Sequence, residues 1–229
     1  MCSSDLTREL IAELDKLENN LRQSKDIRSQ LSANHALAHF WQEKGSLPEP
    51  YYWYEAEASR LENSEKSLTF AARLFLENMQ EDSDGPRRQW KALQAKELYE
   101  RSLKINPDND SARVGIGACY LFGNISNNPM EGIALIREVV AKDSTNAYAQ
   151  LTLVKGSILS GQYEKGIDRL LLVTRTHPEN MEAMLLLAEL YERTGDKKNA
   201  VSCYEKSVLR VEQPEIRQAI RDRIKELKK

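Results

Sequence analysis

Along most of this chain apolar residues return every three or four positions, the spacing that gathers them on one side of a helix. From Thr7 to Gln23 the stripe is Leu10, Leu14, Leu17 and Leu21, with Ile11 beside it and Glu9, Glu13, Lys16 and Glu18 on the other faces. We read 7–30 as an N-terminal helix. Its stripe suits a helix packed on its neighbours or the start of a coiled-coil stalk or dimer helix, and so few heptad-like turns do not separate the two. Paired helical patterns then follow over 31–63, 64–109, 110–146, 147–180 and 181–214. A last helix over 215–229 carries the stripe Ile216, Ile220, Ile224 and Leu227, with Arg217, Arg221, Lys225 and Lys228 turned to water.

The turns between these pairs have their own chemistry. Gly45 ends the first helix of the 31–63 pair, with Pro48 and Pro50 just beyond it. The segment EDSDGPRRQ interrupts the second pair and predicts a charged turn, with the second helix starting near Trp90. Asn106-Pro107-Asp108-Asn109 stops one helix and caps the next. The 110–146 pair is three residues over length, and the surplus lies in Asn124 to Pro129, between its helices.

The last two pairs share one register. Gly161 and Gly195 are 34 residues apart, as are Tyr163 and Lys197, Gly166 and Ala200, Leu170 and Tyr204, and Val173 and Ser207. A period of about 34, with a small residue in each helix and a large apolar or aromatic one four later, resembles the tetratricopeptide repeat. The resemblance is strong from Asp110 to Pro214 and looser from Leu31 to Asn109. It implies an all-α fold, a right-handed α-solenoid of stacked helix hairpins closed by a C-terminal capping helix. The turn insertion, with NPMEGIALIREVVAKD at 128–143, resembles a narrower group of bacterial, single-pass, membrane-anchored tetratricopeptide proteins. That likeness implies a tether to the bacterial inner membrane in the complete protein.

Composition narrows the functional classes. Of 229 residues 41% are hydrophobic and 30% charged, and the net charge of -2 lacks the basic surplus expected of a nucleic-acid binder. No apolar run reaches the roughly 18 residues of a membrane span. Cys2, Cys119 and Cys203 stand far apart and predict no disulfide framework. The opening residues MCSSDL need separate treatment. They match the translation of a widely used sequencing adapter after a start codon, so 1–6 reads as a library artefact on a truncated frame. A genuine start is the plain alternative. A lipoprotein reading of Cys2 lacks the preceding apolar segment.

The resemblance implies that the first helix of each hairpin lines a groove. That predicts as lining Ser111, Val114, Ala118 and Leu121 in the third pair, and Tyr148, Leu151, Lys155 and Ile158 in the fourth. In the fifth it predicts Glu182, Leu185, Glu189 and Glu192. Such a surface suits a protein or peptide partner held by apolar anchors. Tyr148 offers a large amphipathic surface and Lys155 a charge for an acidic partner. The expected role is a non-catalytic protein-interaction scaffold. The alternative is an accessory factor presenting apoproteins, as tetratricopeptide domains do in cytochrome c maturation. Chaperone-docking relatives hold a C-terminal carboxylate in a basic and asparagine clamp. Here those slots carry Val114, Ala118, Leu151, Lys155, Leu185 and Glu189, a poor clamp.

Reactive constellations are sparse. His35, His39 and Glu43 share a helix face at the spacing of zinc-binding histidines, yet Phe40 and Trp41 beside them favour ordinary packing. His177 precedes Pro178 in a turn. No phosphate-cradling glycine loop and no nucleophile elbow occurs, and Gly115-Ile116-Gly117 fits close helix packing better. No cofactor and no metal is expected.

Overall fold

The structure, a computed structural model, describes residues 7–229. The adapter-like residues 1–6 lie outside the described residues. Twelve helices and no strand occur among the described residues: α1 (Arg8–Gln23), α2 (Ile27–Lys44), α3 (Glu49–Glu62), α4 (Glu65–Met79), α5 (Gly85–Ile105), α6 (Asp110–Phe122), α7 (Met130–Lys142), α8 (Ala147–Leu159), α9 (Tyr163–Thr176), α10 (Met181–Arg193), α11 (Lys197–Val208) and α12 (Pro214–Leu227). The fold is all-α and built of helix hairpins. No helix among them is long and apolar enough to cross a membrane.

Repeating local chemistry makes the hairpins. Asn109, Asn146 and Asn180 each cap a first helix, accepting the backbone N–H of Ala112, Ala149 and Ala183 at 2.9 Å. Two residues past the end of α8 and α10, Gly161 and Gly195 adopt left-handed φ values of 70° and 82°. The N–H of the next residue then reaches back, Gln162 to Ser157 O and Asp196 to Tyr191 O, both at 2.8 Å. This closure satisfies carbonyls that the helix leaves open. Asn124, two residues past α6, is left-handed as well, with φ of 52°.

The chain divides into two compact units, one up to Gly132 and one from Ile133, so the boundary falls inside α7. In the first, α1 packs on α2, α2 on α3, α3 on α4, α4 on α5 and α5 on α6. Its core includes Leu37, Phe40, Leu68, Phe75, Met79, Leu98, Tyr99 and Val114, all buried. The α1 stripe is half-buried throughout, with no fully buried residue. Lys44 of α2 holds Glu13 of α1 at 2.6 Å.

The charged interruption after α4 differs from the expected loop. Helix α5 begins at Gly85, well before Trp90, because Asp84 accepts the Arg87 N–H at 2.8 Å and Pro86 sits in the first turn. Asp82 of this polar segment is buried. It receives Arg87 Nε at 2.6 Å and Lys91 Nζ at 2.8 Å, and Lys91 also reaches Glu49 at 2.8 Å. The Arg87 hydrogen bond outweighs burial and, with Lys91, holds the Asp82 carboxyl well below the usual aspartate range.

In the second unit α8 packs on α9, α9 on α10, α10 on α11 and α11 on α12. Its core joins Leu151, Val154, Leu170, Val173, Met184, Leu187, Leu190 and Cys203. A Cβ on Gly166 would stand 2.6 Å from Leu190 Cδ1, so a larger residue there would displace that leucine side chain. On α12 Ile220 is buried, Ile224 and Leu227 are half-buried and Ile216 is exposed.

Candidate functional site: the cleft on α10

The expected lining residues fall into different environments. In the first unit Val114 and Ala118 are buried in the core, and Leu121 is half-buried. In the second unit Leu151 is buried, and Ile158 packs partly against the same core. These side chains face neighbouring helices, so Val114, Ala118 and Leu151 offer no open surface. Tyr148 is 40% exposed. Lys155 does not wait for an outside carboxylate, because its Nζ pairs with Glu182 at 2.8 Å.

The structure does bring the α10 residues together. Glu182, Leu185, Glu189 and Glu192 line an open cavity of about 900 Å³, joined by Leu186, Arg193, Tyr204 and Arg223. Leu185 and Leu186 are its half-buried apolar base. The three glutamates form a ladder along α10, and each has a cation. Glu182 has Lys155, Glu189 has Arg193 at 2.6 Å, and Glu192 has Arg223 of α12. Arg193 also lies over the Tyr163 ring, 5.6 Å from its centroid.

Glu192 is the most shielded of the three, with 12% of its side chain exposed. Its carboxylate accepts Arg223 Nε at 2.9 Å and the Tyr204 hydroxyl at 2.6 Å. Burial pushes its pKa up, but the bonds from Arg223 and Tyr204 outweigh it and leave the group below the ordinary glutamate range. Burial and the adjoining carboxylate push the Tyr204 phenol well above its usual value. The cleft is therefore a set of compensated ion pairs around two leucines.

Arg193, Tyr204 and Arg223 escaped the sequence reading. Arg223 follows Ile220 by three residues and so borders the apolar stripe of α12. That position was the signal. Its partner, Glu192, lies on a helix far back in the chain, and no local pattern names it. The histidine group also resolves here. His39 pairs with Glu43 at 3.3 Å while His35 faces Glu55 of α3 at 3.7 Å. Among the described residues no three His, Cys, Asp or Glu side chains converge as a metal set.

The helix pair that carries this cleft, residues 182–210, matches the family described as Tetratricopeptide repeat. A tetratricopeptide repeat protein of Parabacteroides merdae superposes with a TM-score of 0.61 at 17% identity, covering 95% of this chain and 79% of that one. The fold of the chain is thus that of tetratricopeptide repeat proteins, and one of its helix pairs matches the repeat in sequence. A fragment of MamA from Desulfovibrio magneticus is similar in fold, with a TM-score of 0.50 at 22% identity over 77% of this chain and 92% of the other. No curated protein matches the chain in sequence. Within the tetratricopeptide framework, the cleft lies on the first helix of its hairpin, extended by a side chain from α12.

Proposed function

We propose that this tetratricopeptide protein is a non-catalytic interaction scaffold that holds a peptide or protein segment against the α10 face of its second unit. The observation that carries the reading is the pair Leu185 and Leu186, half-buried at the base of an open cavity and ringed by side chains fixed in ion pairs. Apolar anchors supply most of the affinity in such sites, and the charged rim sets register and excludes wrong partners. The rim is already neutralised internally. A partner must therefore offer apolar surface first, together with groups that share or replace the existing ion pairs. Lys155 and exposed Tyr148 extend the same surface toward α8 through the Lys155–Glu182 bridge.

The test is capture by the immobilised full chain from a lysate of its source, with Leu185→Asp/Leu186→Asp run in parallel. Leu159→Asp, a change at an exposed leucine outside the cavity, serves as the control. A partner retained by wild type and by Leu159→Asp, and lost by the double variant, supports the reading. Equal capture by all three overturns it.

A further inference from the structure

A second groove runs between α9 and α11 of the second unit, with a volume of about 480 Å³. Its floor comes from the back of α10, where Met184 and Leu187 are buried and Tyr191 is half-buried. Leu171 of α9 stands at the lip, 46% exposed.

Charge separates this groove from the α10 cleft. In the cleft Lys155, Arg193 and Arg223 are all paired. Here the two cations in the lining, Arg175 and Lys206, are exposed and form no ion pair or hydrogen bond with any described residue. They also lie at one end. Arg210, just beyond α11, donates to the Pro178 carbonyl, just beyond α9, so the two helices finish side by side. Arg175 and Lys206 occupy their last turns. Burial, with smaller contributions from Cys203, Asp196 and Asp168, raises the pKa of the Tyr191 phenol on the floor. The groove is apolar along its floor and carries both lining cations at one end.

We propose that the α9–α11 groove is a separate docking site for an acidic amphipathic peptide segment, whose apolar side chain covers Leu171 and whose carboxylates meet Arg175 and Lys206. A guanidinium and an ammonium on opposite walls accept two carboxylates one turn apart, while the floor accepts one or two apolar side chains. The assignment rests on a different helix face from the α10 cleft and stands or falls independently of it.

The probe is a short acetylated and amidated helical peptide with leucine and glutamate on one face, compared with its glutamine-for-glutamate and lysine-for-glutamate counterparts. Methyl-labelled full chain is titrated with each and followed by NMR. The acidic peptide should shift the Leu171, Met184 and Leu187 methyls. Both counterparts should bind at least about tenfold more weakly. Arg175→Glu/Lys206→Glu should lose the acidic peptide by a similar factor while its melting curve stays that of wild type, since neither side chain is packed. Three results overturn the proposal. One is equal affinity for the glutamate and glutamine peptides. Another is shifts confined to Leu185 and Leu186, which would place binding on the other cleft. The third is a double charge reversal that leaves affinity unchanged.

Discussion

Arg223 of α12 reaches Glu192 at the end of α10, with Nε 2.9 Å from a carboxylate oxygen. One side chain thereby ties the last helix to the first helix of the preceding hairpin and closes one wall of the cleft. The carboxylate is 12% exposed and the guanidinium 50%, so the bond is shielded on one side only. Glu192 has a folded pKa below its ordinary 4.5. The stabilisation it contributes is therefore complete above that value and is lost as pH falls through the folded-state value. We expect α12 amides to exchange faster in Arg223→Met than in wild type at pH 7. Acidification below pH 4.5 should narrow the difference, as read by hydrogen-exchange mass spectrometry. An α12 unaffected by the substitution at pH 7 would show that Ile220, Ile224 and Leu227 hold it unaided.

The Asp82 cluster predicts an ordered pair of stabilities. Asp82→Ala strands the buried Lys91 beside Glu49 alone, and breaking a buried pair costs about 3–5 kcal/mol. Lys91→Met leaves Asp82 with Arg87 and the Asp84 N–H at 3.0 Å, so its loss should be smaller. Urea denaturation monitored by circular dichroism checks the order. Because the Asp82 carboxyl titrates below its ordinary 3.8 in the folded state, its contribution is present above that value and disappears only in stronger acid.

Gly195→Ala and Gly161→Ala separate backbone strain from crowding. Neither position has any atom within 4 Å of an added Cβ, so the whole cost is the left-handed backbone, about 1 kcal/mol or slightly more. Asn124→Gly should be neutral or mildly stabilising at the equivalent turn. Thermal melts of the three variants test this, and a Gly195→Ala melt identical to wild type would contradict the turn geometry.

Tyr148→Ala/Lys155→Glu tests whether the interaction surface extends to α8. The second change sets a carboxylate where Lys155 now meets Glu182 at 2.8 Å, which repels that rung of the ladder. Capture of an α10-dependent partner should weaken several-fold in a quantitative pull-down. Undiminished capture would confine recognition to Leu185, Leu186 and the rest of the α10 cleft.

What could be read in advance was local. The helix pairs, the stop and cap at Asn106 to Asn109 and the surplus near Asn124 all follow from spacing and from the preferences of a few turn residues. The charged segment before α5 was misread for a related reason. Asp84 and Pro86 favour a helix start as readily as a turn, and only tertiary packing, with Lys91 bridging Asp82 and Glu49 of α3, buries the acid.

The sequence by itself determined the 34-residue repeat and the all-α hairpins, because each depends on contacts within about a turn of helix. It also placed Glu182, Leu185, Glu189 and Glu192 on one face of α10. The tertiary structure alone decided which lining candidates see solvent. Val114, Ala118 and Leu151 were expected on an open helix face, but tertiary packing buries them. Ion pairing was equally beyond local reading, since Lys155 finds Glu182 and Glu192 finds Arg223 only when separate helices pack. Helical spacing specifies a direction for each side chain, and packing specifies what stands in that direction.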